Sequence, residues 1–154
     1  MLDPRNARIA VIGLGYVGLP LAIEFGRLYE TLGYDIDAQR VADLRGGRDG
    51  NHESSAGEIA SAAKLRFSAD ASDLHDCNVY VVTVPTPVDE HKRPDFTPLR
   101  EASRVVGRLL SRGDTVIYES TVYPGATEEI CVPQLEAASG LRAREWRSAN
   151  TVST

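Results

Sequence analysis

Cysteine is scarce in this chain. Cys77 and Cys131 are the only two in 154 residues, too few and too far apart for a metal-ligand cluster or a disulfide framework. Histidine is nearly as sparse. His52, His75 and His91 all fall in polar stretches, none beside a nucleophile, and read as solvated side chains. No basic block or basic-aromatic stripe relieves a formal net charge of −5, which weighs against a nucleic-acid partner. No apolar run approaches the roughly 20 residues that cross a bilayer as a helix. The start, Met1 to Asn6, is too polar for a signal peptide. These absences point to a reducing, cytoplasmic setting. What remains is ordinary for a globular domain: 42% hydrophobic and 25% charged residues, in a length that suits one domain with a sizeable core.

Glycine, by contrast, is placed with purpose. Four apolar residues, Ile9-Ala10-Val11-Ile12, run straight into Gly13-Leu14-Gly15-Tyr16-Val17-Gly18. An apolar, helix-prone segment follows, giving the order strand, tight turn, helix. In such a turn Gly13 reverses the chain, Gly15 lets a pyrophosphate approach the backbone, and Gly18 lets helix and strand pack closely. The helix start offers free N–H groups and a positive dipole end to phosphates. A second strand, Thr31 to Ile36, carries Asp35, 22 positions after Gly13. A dinucleotide site needs a carboxylate there for the adenosine ribose hydroxyls. Its charge would repel a 2′-phosphate and so favour NAD over NADP. Asp35 could instead be a helix cap. Arg40 pulls the other way, because a nearby arginine can accommodate a 2′-phosphate; it also reads as a plain surface-helix arginine.

Strands and helices alternate along the rest of the chain. The pattern predicts a first helix over about Val17 to Tyr29, a short helix through Arg40, Val41 and Leu44 capped by Asp37, and a loop from Arg45 to Ser55. A modest helix follows at Glu58 to Lys64, then a short strand at Leu65 to Phe67. Asn78 to Val84 is apolar and β-branched on both faces, as a strand covered on both sides should be. Thr97 reads as the cap of the next helix, with Pro98 at its first position. Thr115 to Tyr118 is a fifth strand, and Ala126 to Ala138 a helix that Pro133 bends or ends. The alternation predicts an α/β fold: a single Rossmann-type domain with a doubly wound parallel sheet, strand order 3-2-1-4-5, and room for a short extra strand.

Ligands of such sheets sit at the carboxyl ends of the strands. That edge gathers Gly13 to Gly18, Asp35, Arg40, Thr83-Val84-Pro85-Thr86-Pro87, Ser120 and Thr121. The prolines of 83–87 could merely end a strand, and Ser120 and Thr121 could merely cap the following helix. Glu119 reads better as a structural or solvated carboxylate than as a catalytic acid. Neither cysteine is well placed to attack a substrate; both read as small buried apolar groups.

The segments Gly13 to Pro20, Gly33 to Asp37, Thr83 to Pro87 and Tyr118 to Gly125 together resemble the amino-terminal part of the UDP-glucose/GDP-mannose dehydrogenase family. The likeness is to the bacterial UDP-N-acetylhexosamine 6-dehydrogenases in particular, including the Vi-antigen type, and covers about residues 7 to 142. It implies NAD contacts from Gly13, Gly15, Tyr16, Val17, Gly18, Asp35, Arg40, Val82, Thr83, Val84, Pro85, Thr86, Ser120 and Thr121. It also implies that Thr121 helps place a water near the reacting carbon. The implied reaction takes a UDP-sugar C6 alcohol to a uronate with two NAD per turnover, through a cysteine-bound intermediate, for surface polysaccharide precursors. A homo-oligomer is possible; no metal, membrane or nucleic acid is implied. The catalytic cysteine and the sugar-binding domain of the family match nothing before Thr154. The expectation is therefore of a domain spanning 1–142, a tail of 143–154 outside the family pattern, and no complete oxidation by this chain alone. A non-catalytic nucleotide-binding or interaction module is the competing expectation.

Overall fold

Every strand pairing runs parallel in the computed structural model, which describes residues 3–119 and 125–150. Strand β1 (Arg8–Ile12) lies near the middle of a six-stranded sheet. β2 (Glu30–Tyr34) and β3 (Leu65–Ser68) lie on one side of it; β4 (Val79–Val82), β5 (Thr115–Tyr118) and β6 (Arg147–Asn150) lie on the other. The order is β3-β2-β1-β4-β5-β6. Ile12 stands level with Tyr34 and with Val82, and Val82 with Tyr118. Four carboxyl ends thus finish in one line, and the loops that follow them meet.

Both faces of the sheet are buried, and β1 shows why its sequence is apolar without a break. Successive side chains point to opposite faces. Ala10 and Ile12 enter one core with Tyr80, Val82, Leu99, Val106 and Leu135. Ile9 and Val11 enter the other with Leu19, Ile23, Val41, Leu44 and Phe67. The first core is roofed by α4 (Thr97–Leu109) and α5 (Val132–Ser139), the second by α1 (Gly18–Leu28), α2 (Ala38–Arg45) and α3 (Ala56–Ser61). Small residues set the helix distances. A Cβ on Gly26 of α1 would sit 2.5 Å from the Leu65 Cβ, and one on Gly107 of α4 2.7 Å from the Ala138 Cβ. At the β3 edge the Arg45 guanidinium donates to the Phe67 carbonyl through Nε and Nη2 (3.1 and 2.8 Å), occupying an acceptor that an open strand would leave bare.

The fold class and strand order match the sequence reading, with β6 as the extra strand. Several boundaries move. Asn78 and Thr83-Val84 fall outside β4, because Thr83 turns inward to another task. Thr97 does not cap α4 but begins it: the Asp95 carboxylate accepts from the Thr97 amide at 2.9 Å. The third helix starts earlier than Glu58, at Ala56. Ser55 and Glu58 exchange side-chain-to-backbone bonds there as a capping box, a signature visible in the sequence. Proline 133 does not end its helix. A π-helical turn, Thr127–Cys131, precedes it, and the α-helix restarts at Val132, so Pro133 occupies a first turn where no N–H is missed. The stretch expected to leave the domain at Ala143 instead forms a 3₁₀ turn, buries Trp146, and pairs Arg147–Asn150 with β5. Arginines and small polar residues gave that strand no apolar signature. Among the described residues no helix is long and apolar enough to cross a membrane.

Candidate functional site

The glycine turn between β1 and α1 is the centre of the carboxyl edge. Gly13 has φ of +99°, which a side chain would strain. Gly18 has no space: a Cβ there would lie 1.7 Å from the Gly13 carbonyl oxygen and 2.5 Å from the Thr83 hydroxyl. Gly15 is different. No described residue comes within 4 Å of a Cβ built on it, so packing among the described residues does not require glycine there. The Gly15, Tyr16 and Val17 amides donate to no described residue, and α1 begins without a side-chain cap. Tyr16 and Val17 are 68% and 51% exposed, and Ile36, beyond β2, is 85% exposed. A bare backbone with unpaired donors at a helix start, flanked by open apolar side chains, is suited to an anion carrying flat rings.

Leu14 is fixed on every side. Its amide donates to Asp35 Oδ2 at 2.9 Å. Its carbonyl accepts from Arg40 Nε and Nη2 at 3.0 and 2.7 Å. Its side chain is fully buried, in room left by Gly33: a Cβ there would come within 3.0 Å of it. The second oxygen of Asp35 accepts from the Asp37 amide at 2.9 Å. A carboxylate accepts about four hydrogen bonds, so Asp35 keeps capacity for a pair of hydroxyls.

Arg40 is not the free surface arginine that its helix position allowed. Its side chain is 13% exposed and pairs with Asp49 at 2.6 Å; the Asp49 side chain is fully buried. Asp49 also accepts the backbone amides of Asn51, Glu53 and Ser54 at 2.9 to 3.0 Å. Burial works to raise its pKa, but the Arg40 guanidinium and these amides prevail and hold it below its ordinary value. Sequence reasoning missed Asp49. Asp49-Gly50 signals a turn, but nothing local shows the turn closing over Arg40.

After β4, Thr83 serves the turn. Its amide donates to the Ile12 carbonyl at 2.9 Å, and its hydroxyl, buried, lies 3.0 Å from that oxygen and 2.7 Å from the Gly13 oxygen. Val82 is buried, Val84 and Thr86 are half-buried, and Pro85 is exposed. The Thr86 hydroxyl is buried without a partner among the described residues, an orphan that a bound group would satisfy. Ser120 and Thr121 lie outside the described residues. Glu119 donates its amide to the Val82 carbonyl at 2.9 Å.

Neither thiol belongs to this edge chemically. Burial pushes Cys77 up to about 11. Cys131 is fully buried and raised by the same cause. Both are poor nucleophiles at neutral pH. All three histidines are exposed. The described residues hold no cluster of metal-ligand side chains. A cleft of about 900 Å³ lies beside β3 among α2, α3 and residues such as Ile59, Phe67 and His75, away from the glycine turn.

A parallel sheet with helices on both faces, a glycine turn that leaves backbone donors bare, and an acid at the end of the next strand define a dinucleotide-binding domain of the Rossmann type. The particular family follows from comparison. Residues 7–151 match the model of the UDP-glucose/GDP-mannose dehydrogenase family, NAD binding domain, and the chain belongs to that family. The match runs past residue 142, taking in residues 143–151 of the tail expected to depart from it. The UDP-N-acetyl-D-glucosamine 6-dehydrogenase of Pseudomonas aeruginosa is 57% identical over 141 residues, 92% of this chain and 33% of the relative. Its namesake from Salmonella typhi is 51% identical over the same shares. The structure of UDP-D-ManNAc dehydrogenase from Pyrococcus horikoshii superposes with a TM-score of 0.81 at 35% identity, over 96% of this chain and 37% of that one. The chain thus spans about a third of the length of the curated relatives it matches.

Proposed function

We propose that this chain is the cofactor-binding part of an NAD-dependent nucleotide-sugar 6-dehydrogenase acting in the cytoplasm on a UDP-N-acetylhexosamine for surface polysaccharide. The observation that carries the reading is the turn from Gly13 to Gly18, prebuilt and open at Gly15, with Asp35 beside it. When bound, NAD supplies the hydride acceptor that oxidises the sugar C6 alcohol. The Gly15, Tyr16 and Val17 amides and the α1 dipole receive its diphosphate, and Asp35 accepts from the adenosine ribose hydroxyls. Arg40 holds the Leu14 carbonyl at the floor of the site. Val82, Thr83, Val84, Pro85 and Thr86 line its far half, where the Thr86 hydroxyl, without a partner among the described residues, offers a hydrogen bond. Ser120 and Thr121 are assigned cofactor contacts as well, and Thr121 the positioning of water near the reacting carbon. The names of the relatives support the substrate class.

Titrating this chain with NADH by fluorescence or calorimetry tests the binding step. Saturation is expected below millimolar cofactor, and a flat titration to that limit removes the reading. A second reading, a nucleotide-binding module without catalysis, draws on the two cysteines, Cys131 buried and Cys77 half-buried, both with suppressed acidity. NADH production from UDP-sugars, with and without a supplied carboxy-terminal half of a relative, separates the two. Turnover with the added half supports the dehydrogenase; binding without turnover in either case supports the module.

A further inference from the structure

We infer that Asp49 is a specificity-determining residue: by neutralising and tethering Arg40 it denies a 2′-phosphate the cation it needs, so that the site takes NAD and rejects NADP. This rests on the NAD-domain reading and deepens it. The sequence leaves the choice open, since Asp35 opposes a 2′-phosphate and Arg40, five residues on, invites one. Geometry decides between them. Arg40 has five N–H donors. Two go to the Leu14 carbonyl and one to Asp49, and the side chain is 13% exposed. Gly50 lies over it, a Cβ there falling 4.0 Å from Nη1. The Asp49 carboxylate has no spare capacity to share. Its four acceptor positions are filled by Arg40 and three backbone amides, so it stays in place as long as the loop does. The positive charge beside the ribose is thereby cancelled at 2.6 Å. The charge left facing a 2′-substituent is the Asp35 carboxylate.

The test compares NADH and NADPH dissociation constants by fluorescence titration on this chain and its Asp49→Asn variant, in low salt. Asparagine keeps the shape and one acceptor oxygen but removes the charge. The wild type should prefer NADH by about a hundredfold, and Asp49→Asn should tighten NADPH about tenfold, the worth of one exposed charge at close range, with NADH within about threefold. Adding Arg40→Gln to Asp49→Asn should abolish that gain. NADH bound normally by Asp49→Asn with no gain for NADPH overturns the inference and leaves the NAD reading intact; wild type binding neither dinucleotide defeats both. If Asp49→Asn melts below the assay temperature, Arg40→Gln alone decides. A preserved NADPH-to-NADH ratio supports the tether, and a selective tenfold loss of NADPH means the arginine was free all along and overturns it. Wild type binding NADPH as tightly as NADH overturns it without any variant.

Discussion

Two glycines three positions apart are constrained by opposite things. Gly18 is fixed by the protein, whose own carbonyl at Gly13 would collide with a Cβ. Gly15 meets no described residue within 4 Å of a built Cβ, and its proposed role is to let a ligand approach the backbone. Gly18→Ala should therefore cost about 3 kcal/mol or more of stability, as overpacking against rigid backbone does. Gly15→Ala should melt with the wild type yet lose most NADH affinity. Thermal melting and NADH titration of the two variants check this; equal melting losses would mean that the turn is uniformly packed. Asp49 carries a pH signature. Its folded pKa lies below the ordinary 3.8, so its contribution is fully present above that value and is lost as pH falls further. The wild type should melt progressively earlier as pH falls below about 4, and the gap between it and Asp49→Asn should narrow in the same direction. A gap constant with pH would mean the carboxylate contributes no charge-dependent stability.

At the scale of elements, the sequence declared what is periodic or punctuated and concealed what is contact-dependent. The β1 run, the glycine turn and the acid after β2 were legible because short-range chemistry dictates them. Spacing alone put Asp35 just past β2, where its carboxylate meets the glycine turn. The Arg40 tether was not, because its partner sits on a loop whose closure depends on three backbone amides. Strand β6 was invisible, since an edge strand built of Arg, Ser, Ala and Asn has neither alternation nor apolar content. It exists because β5 offers a free ladder and Trp146 anchors the approach. Pro133 announced a break that the π turn before it absorbs. Close helix packing makes a further prediction at this scale. Gly26→Ala and Gly107→Ala each drive a methyl into a neighbour's Cβ at 2.5 and 2.7 Å. Each should lower stability by about 1–3 kcal/mol, read by urea denaturation. Gly113, whose Cβ would meet nothing, has φ of +87°. Its alanine variant tests strain without collision, and should cost less than either.

For the molecule as a whole, two cores on opposite faces of one sheet hold the carboxyl edge level, and cofactor binding should register in global stability. A ligand at a hundred times its dissociation constant adds about 2.7 kcal/mol. In a chain of this size that corresponds to roughly 5–10 °C in melting temperature. NADH should produce such a shift and NADPH at equal concentration a much smaller one; scanning calorimetry gives both. An absent shift with NADH would contradict the site as drawn. The immobilised Leu14 peptide also bears on kinetics. With its amide, carbonyl and side chain all committed before any visitor arrives, the cradle has little left to rearrange. Capture should be a single encounter step, its observed rate in stopped-flow climbing linearly with dinucleotide concentration and never levelling to a plateau.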